Sequence, residues 1–307
     1  MATYITVDGG TTNTRLYLVR DGSVVAEEKL SVGARNGADA LKSAVKDGIS
    51  RLLGAQDITE DDVTAIIASG MITSEYGLCN LTHITLPAGR SELQKTMERV
   101  EFPEISTLPW YFIRGVKSVG ASLEETDVMR GEETELMGII GGDASGALYV
   151  LPGSHSKLIS VDGEGRIVSF CTMLSGELFA AVMQNTILRD AADFEHNTVI
   201  EEKLFQGYEY CRDRGINEAL FKTRILKNLF AASKEECYSY LLGCVLCHEV
   251  GAILAKPEET VVIGGQKQFR LALSALLRKY GKKQVVTLSD EDVACSTALG
   301  AVRIFES

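Results

Sequence analysis

Two stretches of the chain read the same way: a short β-rich segment, a polar turn containing glycine, and a second β-rich segment. The first runs through residues 4–8, the turn Gly9-Gly10-Thr11-Thr12-Asn13 and residues 14–19. The second runs through residues 147–151, the turn Pro152-Gly153-Ser154-His155-Ser156-Lys157 and residues 158–161. A chain that restarts its own pattern half-way builds two similar lobes more readily than one continuous sheet. Its 307 residues are enough for two cores at roughly 150 residues per domain.

The elements around these openings fit an α/β class. Residues 24–30 supply a third strand after the hairpin signal Asp21-Gly22, and a helical pattern covers residues 38–53. Residues 63–69 form a compact Val/Ile/Ala run, the pattern of a strand buried on both faces. A helix is expected over 128–140, capped by Thr126-Asp127 and ending in Gly141-Gly142. In the second half, strands are expected over 167–173, 261–263 and 284–288, and helices over 174–188, 218–232, 236–254, 269–279 and 291–305. The restart divides the chain into 1–141, an N-terminal lobe with the first loop and Asp127, and 142–307, a C-terminal lobe with the second loop, the 263–266 turn and the last helix.

Charge and cysteine usage exclude several classes. Lys and Arg number 31 against 42 Asp and Glu, a formal net charge of −11, so attraction to a nucleic-acid backbone is not expected. The N-terminus lacks a basic segment followed by an apolar one, and no apolar run reaches the ~20 residues of a membrane span. A cytoplasmic protein with neither membrane nor nucleic-acid partners is the expectation. The 7 cysteines sit mostly inside apolar segments, which suits reduced core thiols. Cys244-Val245-Leu246-Cys247-His248 matches a haem-attachment pattern, but it lies in an apolar helical segment and reads as core.

Four places carry residues suited to chemistry. Asp8 ends a strand, Gly9 and Gly10 let backbone N–H groups face a phosphate, and Thr11 and Thr12 add hydroxyl donors. Asp8 can hold Mg²⁺ through water. The ordinary reading of the same residues is a hairpin turn. In the second loop Gly153, Ser154, His155, Ser156 and Lys157 offer another phosphate cradle, with Lys157 or His155 able to offset charge on a transferring phosphoryl group; a solvated surface hairpin is the alternative. Gly264, Gly265 and Gln266 follow a buried strand and precede a helix, where a ring or ribose can lie against backbone. The full G-x-G-x-x-G spacing is missing, which discounts a nicotinamide cofactor. Asp127 is the candidate base, able to accept a proton from an attacking hydroxyl, with a plain helix cap as the alternative.

Taken in order, these motifs resemble the sugar-kinase, hsp70 and actin superfamily: a first phosphate loop at 8–12, an aspartate at 127, a second phosphate loop at 153–157, an adenosine motif at 263–266 and the closing helix Ala298-Leu299-Gly300-Ala301. Within it the chain resembles the 2-dehydro-3-deoxygalactonokinase family. Three stretches carry that likeness: Asp127-Val128-Met129-Arg130-Gly131-Glu132-Glu133-Thr134, residues 151–157, and Phe170-Cys171-Thr172-Met173-Leu174-Ser175-Gly176-Glu177-Leu178-Phe179, with Ser69-Gly70-Met71-Ile72 in support. The resemblance implies two ribonuclease H-like lobes of the actin-like ATPase fold with an interdomain cleft. It also implies an ATP- and Mg²⁺-dependent kinase acting on the terminal hydroxyl of a 2-dehydro-3-deoxy sugar acid in galactonate breakdown. Asp127 matches the superfamily's base. The chain departs from relatives at Gly10, where an aromatic residue is common, and at Gly153-Ser154-His155, where Asp-Gly-Thr is common.

A sugar acid needs a cation for its carboxylate, and Arg is the natural bidentate partner. Arg35, Gly-flanked after a strand, ranks first, followed by Arg15 and Arg130, with Asn13 as a further substrate contact. A kinase of the same fold acting on another sugar or hydroxy acid, and a nucleotide-binding sensor without transfer activity, remain as rival readings; a homodimer stays open.

Overall fold

The computed structural model describes residues 2–141 and 146–307. Gly142, where the sequence reading ends a helix and begins the second lobe, lies outside the described residues. The first half contains strands β1 (Thr3–Gly9), β2 (Thr14–Arg20) and β3 (Ser23–Leu30), helix α1 (Ala38–Gly54), β4 (Ala65–Gly70), β5 (Ile84–Thr85), α2 (Arg90–Lys95), β6 (Glu98–Val100), β7 (Trp110–Phe112), β8 (Val116–Ser118), β9 (Asp127–Met129) and α3 (Glu132–Ile139). The second half contains β10 (Leu148–Leu151), β11 (Ser156–Val161), β12 (Ile167–Met173), α4 (Ser175–Asn185), α5 (Glu201–Arg214), α6 (Ile216–Phe230), α7 (Lys234–Ala255), β13 (Thr260–Ile263), α8 (Lys267–Tyr280), β14 (Gln284–Thr287) and α9 (Asp290–Phe305).

The repeated opening produces a repeated sheet. One sheet has the order β3-β2-β1-β4-β7-β6, the other β12-β11-β10-β13-β14. In each, the first strand pairs antiparallel with the second and parallel with the fourth, β1 with β4 and β10 with β13. The β2–β3 hairpin turns through Asp21 and Gly22, both at positive φ, a geometry that matches the twist of the strands it joins. A third, three-stranded sheet, β5-β8-β9, has no counterpart in the sequence reading.

Two compact units emerge. The first comprises residues 1–145, 161–169 and 290–307, the second residues 146–160 and 170–289. This differs from a single division near residue 141, because α9 belongs with the first unit. Its small residues explain why: a Cβ on Gly300 would lie 1.9 Å from the Thr134 carbonyl oxygen, and one on Gly138 1.8 Å from that of Ser296. The closing helix expected in the C-terminal lobe therefore packs backbone to backbone on α3.

The first unit's core is built from Ile5, Leu16, Leu41, Ile66, Trp110 and Phe112. The second unit's core centres on α7, with Phe179, Leu204, Tyr240, Leu246 and Leu273. Helix α7 is long and apolar enough to cross a membrane by length and composition, contrary to the sequence expectation, but 78% of its apolar window is buried within the protein. Cys244 and Cys247 are buried on it as free thiols, as a core reading of that motif requires.

Candidate functional site

In the first unit, Asp8 sits opposite Arg15 across the β1–β2 register, and Arg15 Nη1 donates to its Oδ2 at 3.2 Å. Burial outweighs that nearby charge and raises the Asp8 carboxyl above its ordinary value. The turn that follows is closed by Gly10 N donating to the Asn13 carbonyl at 2.9 Å, while Asn13 Nδ2 donates to Thr12 Oγ1 at 3.0 Å. Thr11, Thr12 and Asn13 are exposed. The segment after β3 braces this loop from below: Ala34 N donates to the Gly10 carbonyl and Arg35 N to that of Thr11, both at 3.0 Å. Gly33 permits the approach, since a Cβ there would lie 2.6 Å from the Thr11 carbonyl carbon. The loop's carbonyls are thus tied down on one side. Among the described residues no backbone acceptor takes the Thr11 or Thr12 N–H.

Asp127 is not at a helix start. It opens the edge strand β9, paired with Ser118 of β8, and its Oδ1 accepts from Val128 N at 2.7 Å. The helix begins five residues later, after Gly131 at φ 109. Gly131 turns the chain onto Gly70, where a Cβ would stand 3.3 Å from the Gly70 Cα. Gly70, itself at φ 82, would place a Cβ 2.6 Å from the Gly9 carbonyl oxygen and 3.5 Å from Asp8 Oδ1. Close glycine contacts therefore link the Asp8 end of β1, the end of β4 and the turn following Asp127. Glu133 fixes that turn. Fully buried, it accepts from Gly131 N at 2.8 and 3.0 Å and from Thr134 Oγ1 at 3.0 Å. Burial, reinforced by Glu132, pushes its carboxyl up to about 8.

The three arginines differ in what already holds them. Arg130 spends Nη1 on the Thr73 carbonyl and hydroxyl and donates through Nη2 to the Leu81 carbonyl at 3.0 Å, with His83 Nδ1 at 3.4 Å. That is a strut between loops, and it weighs against Arg130 as the substrate's partner. Burial and the Arg130 charge lower His83 to about 4. Arg15 is engaged by Asp8, while the Arg35 side chain is exposed.

In the second unit, Ser154 and His155 are exposed, but Ser156 and Lys157 lie inside β11 with buried side chains. Lys157 Nζ donates to Thr172 Oγ1 at 2.7 Å. The pattern places both residues in the open loop, with the strand starting at Leu158; the strand begins two residues earlier, at Ser156. The N-terminus of α4 brackets the loop. Glu177 N donates to the Ser154 carbonyl at 3.0 Å, Glu177 Oε2 meets His155 Nε2 at 2.8 Å, and a Cβ on Gly176 would lie 2.1 Å from the Gly153 carbonyl oxygen. The glycine turn after β13 joins the same loop. Gln266 N donates to the Pro152 carbonyl at 2.7 Å, and Gly265, at φ 64, would drive a Cβ to 2.3 Å from that oxygen. Arg270, only 2% exposed, holds the turn by donating from Nη1 to the Gly265 carbonyl at 2.7 Å. Residues 152–157, the start of α4 and residues 264–266 thus form one constellation. Sequence alone singles out neither Glu249 nor Arg270, and it shows Glu133 only as part of the 127–134 stretch; all three ionisable side chains are buried.

A profile of the 2-keto-3-deoxy-galactonokinase family matches residues 8–300. The chain belongs to that family. The family consists of carbohydrate kinases that use ATP. The chain is 30% identical over 194 residues to DgoK1 of Rhizobium meliloti (strain 1021), assigned as a 2-dehydro-3-deoxygalactonokinase; the match covers 61% of this chain and spans 58% of that relative's length. It is 25% identical over 260 residues to the 2-dehydro-3-deoxygalactonokinase of Escherichia coli (strain K12), covering 82% of this chain and 80% of that one. Among solved structures, a Sinorhizobium meliloti protein assigned to the same activity superposes with a TM-score of 0.77 at 24% identity, covering 99% of this chain and 100% of that one. The activator of 2-hydroxyisocaproyl-CoA dehydratase from Clostridium difficile, solved with bound ADPNP, superposes at 0.53 with 14% identity, covering 99% and 94%. The architecture is the mixed α/β, actin-like ATPase fold.

Proposed function

We propose that the protein transfers the γ-phosphoryl group of ATP to the terminal hydroxyl of a 2-dehydro-3-deoxy sugar acid, converting 2-dehydro-3-deoxy-D-galactonate to its 6-phosphate in galactonate breakdown, in the cytoplasm. The observation that carries this reading is the family match across residues 8–300, which includes every motif assigned to phosphate, adenosine and base.

The residues divide the work by chemistry. Ser154, His155 and the backbone of Gly153 take the ATP phosphates. Gly264, Gly265 and Gln266 receive the adenosine. Ser156 and Lys157 act from within the strand, Lys157 adding positive charge beneath the loop. The backbone of Gly9, Gly10, Thr11 and Thr12 and the two threonine hydroxyls face the transferred phosphoryl group. Asp127 orients the sugar's primary hydroxyl and takes its proton as that oxygen bonds to the γ-phosphorus and the bond to the β–γ bridging oxygen breaks, giving ADP and a phosphomonoester. Arg35 takes the substrate carboxylate, with Asn13 and Arg15 beside it.

The residues fit Mg²⁺: one half-buried carboxylate suits an ion that keeps most of its waters, beside a turn whose N–H and hydroxyl groups suit the phosphate oxygens that would share it. Asp8 would hold it through water, and the ion would neutralise charge developing on the phosphates. Phosphoryl transfer relies mainly on positioning and charge stabilisation, so the bracing of both loops matters as much as the base.

The test is ADP release measured across a panel of keto-deoxy sugar acids, aldonic acids and neutral sugars. Turnover confined to the keto-deoxy acids is expected, and preferential turnover of neutral sugars would refute the substrate assignment.

A further inference from the structure

Helix α7 buries a carboxyl group where an apolar side chain would serve packing better. Glu249 has no exposed surface, and its neighbours along the helix, Val245, Leu246, Val250 and Ile253, belong to the core. An unpaired carboxyl in such a place costs free energy, so something other than packing accounts for it. The Glu249 carboxyl faces two hydroxyls, those of Ser175 and Ser156. Neither of its oxygens completes a hydrogen bond among the described residues, and the buried Ser156 Oγ completes none either.

The position of those hydroxyls gives the group its meaning. Ser156 is the first residue of β11, directly after the exposed Ser154-His155. Ser175 is the first residue of α4, the helix whose Gly176 presses on Gly153 and whose Glu177 N–H holds the Ser154 carbonyl. One carboxyl group therefore stands behind both ends of the loop's frame.

We propose that Glu249 is a positioning residue for ATP: it orients the Ser156 and Ser175 hydroxyls and thereby sets the backbone of residues 153–156 that receives the phosphates. This rests on the assignment of that loop to ATP. Burial pushes the Glu249 carboxyl up to about 7, so a neutral acid is accessible at ordinary pH. A neutral acid suits the task, because its O–H donates to one hydroxyl while its carbonyl accepts from the other, and no negative charge opposes the anionic ligand.

The experiment compares Glu249→Gln, which keeps one donor and one acceptor, with Glu249→Leu, which keeps neither, by equilibrium binding of ATP to the full chain without sugar acid. Glu249→Gln is expected within about threefold of the wild type. Glu249→Leu is expected to lose about tenfold in ATP affinity, the scale of one hydrogen bond left unmade, and to raise KM for ATP without changing KM for the acceptor. Unchanged thermal melting of the Leu variant would separate positioning from folding. Should that variant fail to fold, Ser156→Ala with Ser175→Ala is expected to reproduce the loss. Wild-type ATP affinity in the Leu variant or the double serine variant, or a Gln variant as weak as the Leu one, overturns the proposal. Affinity read without acceptor is unaffected by an error in the sugar-acid assignment.

Discussion

Asp127 owes its position to an edge strand and a glycine turn, not to a helix cap, and that alters what a substitution there should do. A capping role predicts a loss of helix stability on removal of the carboxylate. Position on β9, ahead of the Gly131 turn onto Gly70, predicts a loss confined to chemistry. Asp127→Asn should lower kcat by roughly 10²–10⁴-fold while ATP affinity and melting temperature stay near wild type, as steady-state kinetics and nucleotide titration would read; near-normal turnover would remove Asp127 as the base. Glu133, behind the same turn, makes a second prediction. Its carboxyl is raised to about 8, so between its unfolded value of 4.5 and about 8 the folded chain holds a proton that the unfolded chain has lost. Its contribution to stability therefore falls as pH rises through that window. Glu133→Gln should gain on the wild type as pH rises through it, judged by urea unfolding across the range, and parallel pH profiles for the two proteins would contradict this. The loops were legible in the sequence because Gly, Ser and Thr beside a strand end signal locally. Glu133, Glu249 and Arg270 were not, because their significance lies in burial, which depends on the elements packed over them.

Elements were legible where apolar periodicity is strong, and failed where geometry replaces it. Strands β1–β3, helix α1 and the restart at β10–β12 follow the sequence pattern closely. Helix α5 escaped it: Glu201–Arg214 is charged and carries an interior Gly207. Its buried Leu204, Tyr208 and Cys211 form a single stripe against α7. The glycine that obscured the helix is what lets it pack. A Cβ on Gly207 would lie 2.0 Å from the Tyr240 carbonyl oxygen, and one on Gly243 2.0 Å from that of Leu204. Gly243→Ala must therefore force the two helices apart and should cost about 1–3 kcal/mol. Gly251 lies on the same helix with nothing within 4 Å of its would-be Cβ. There alanine should be neutral or stabilising by roughly 0.5–1 kcal/mol, since glycine is the poorer helix former. Thermal melting of the two variants reads the contrast, and equal effects would contradict the close-packed crossing. The three-stranded sheet carrying Asp127 was illegible for another reason: its strands are two or three residues long, too short to display a period.

At the scale of the whole molecule, the repeated strand–glycine–strand opening accounts for the two sheets of like order, and the family match extends across nearly all of both. The net charge of −11 sets a demand on such a protein, because ATP and a sugar acid are both anions. Under the proposed function, binding them against the overall field falls to local donors: backbone N–H groups at the two loops, Lys157 beneath the second, and Arg35 as the proposed partner of the carboxylate. Together these groups are proposed to serve transfer of one phosphoryl group from ATP to a keto-deoxy sugar acid. The most direct measurement is the mass of the product formed from 2-dehydro-3-deoxy-D-galactonate, ATP and Mg²⁺. The expected product is heavier than the acid by one phosphoryl group, with ADP released in equal amount. Recovery of unmodified acid while ATP is consumed, or with ATP untouched, would contradict it.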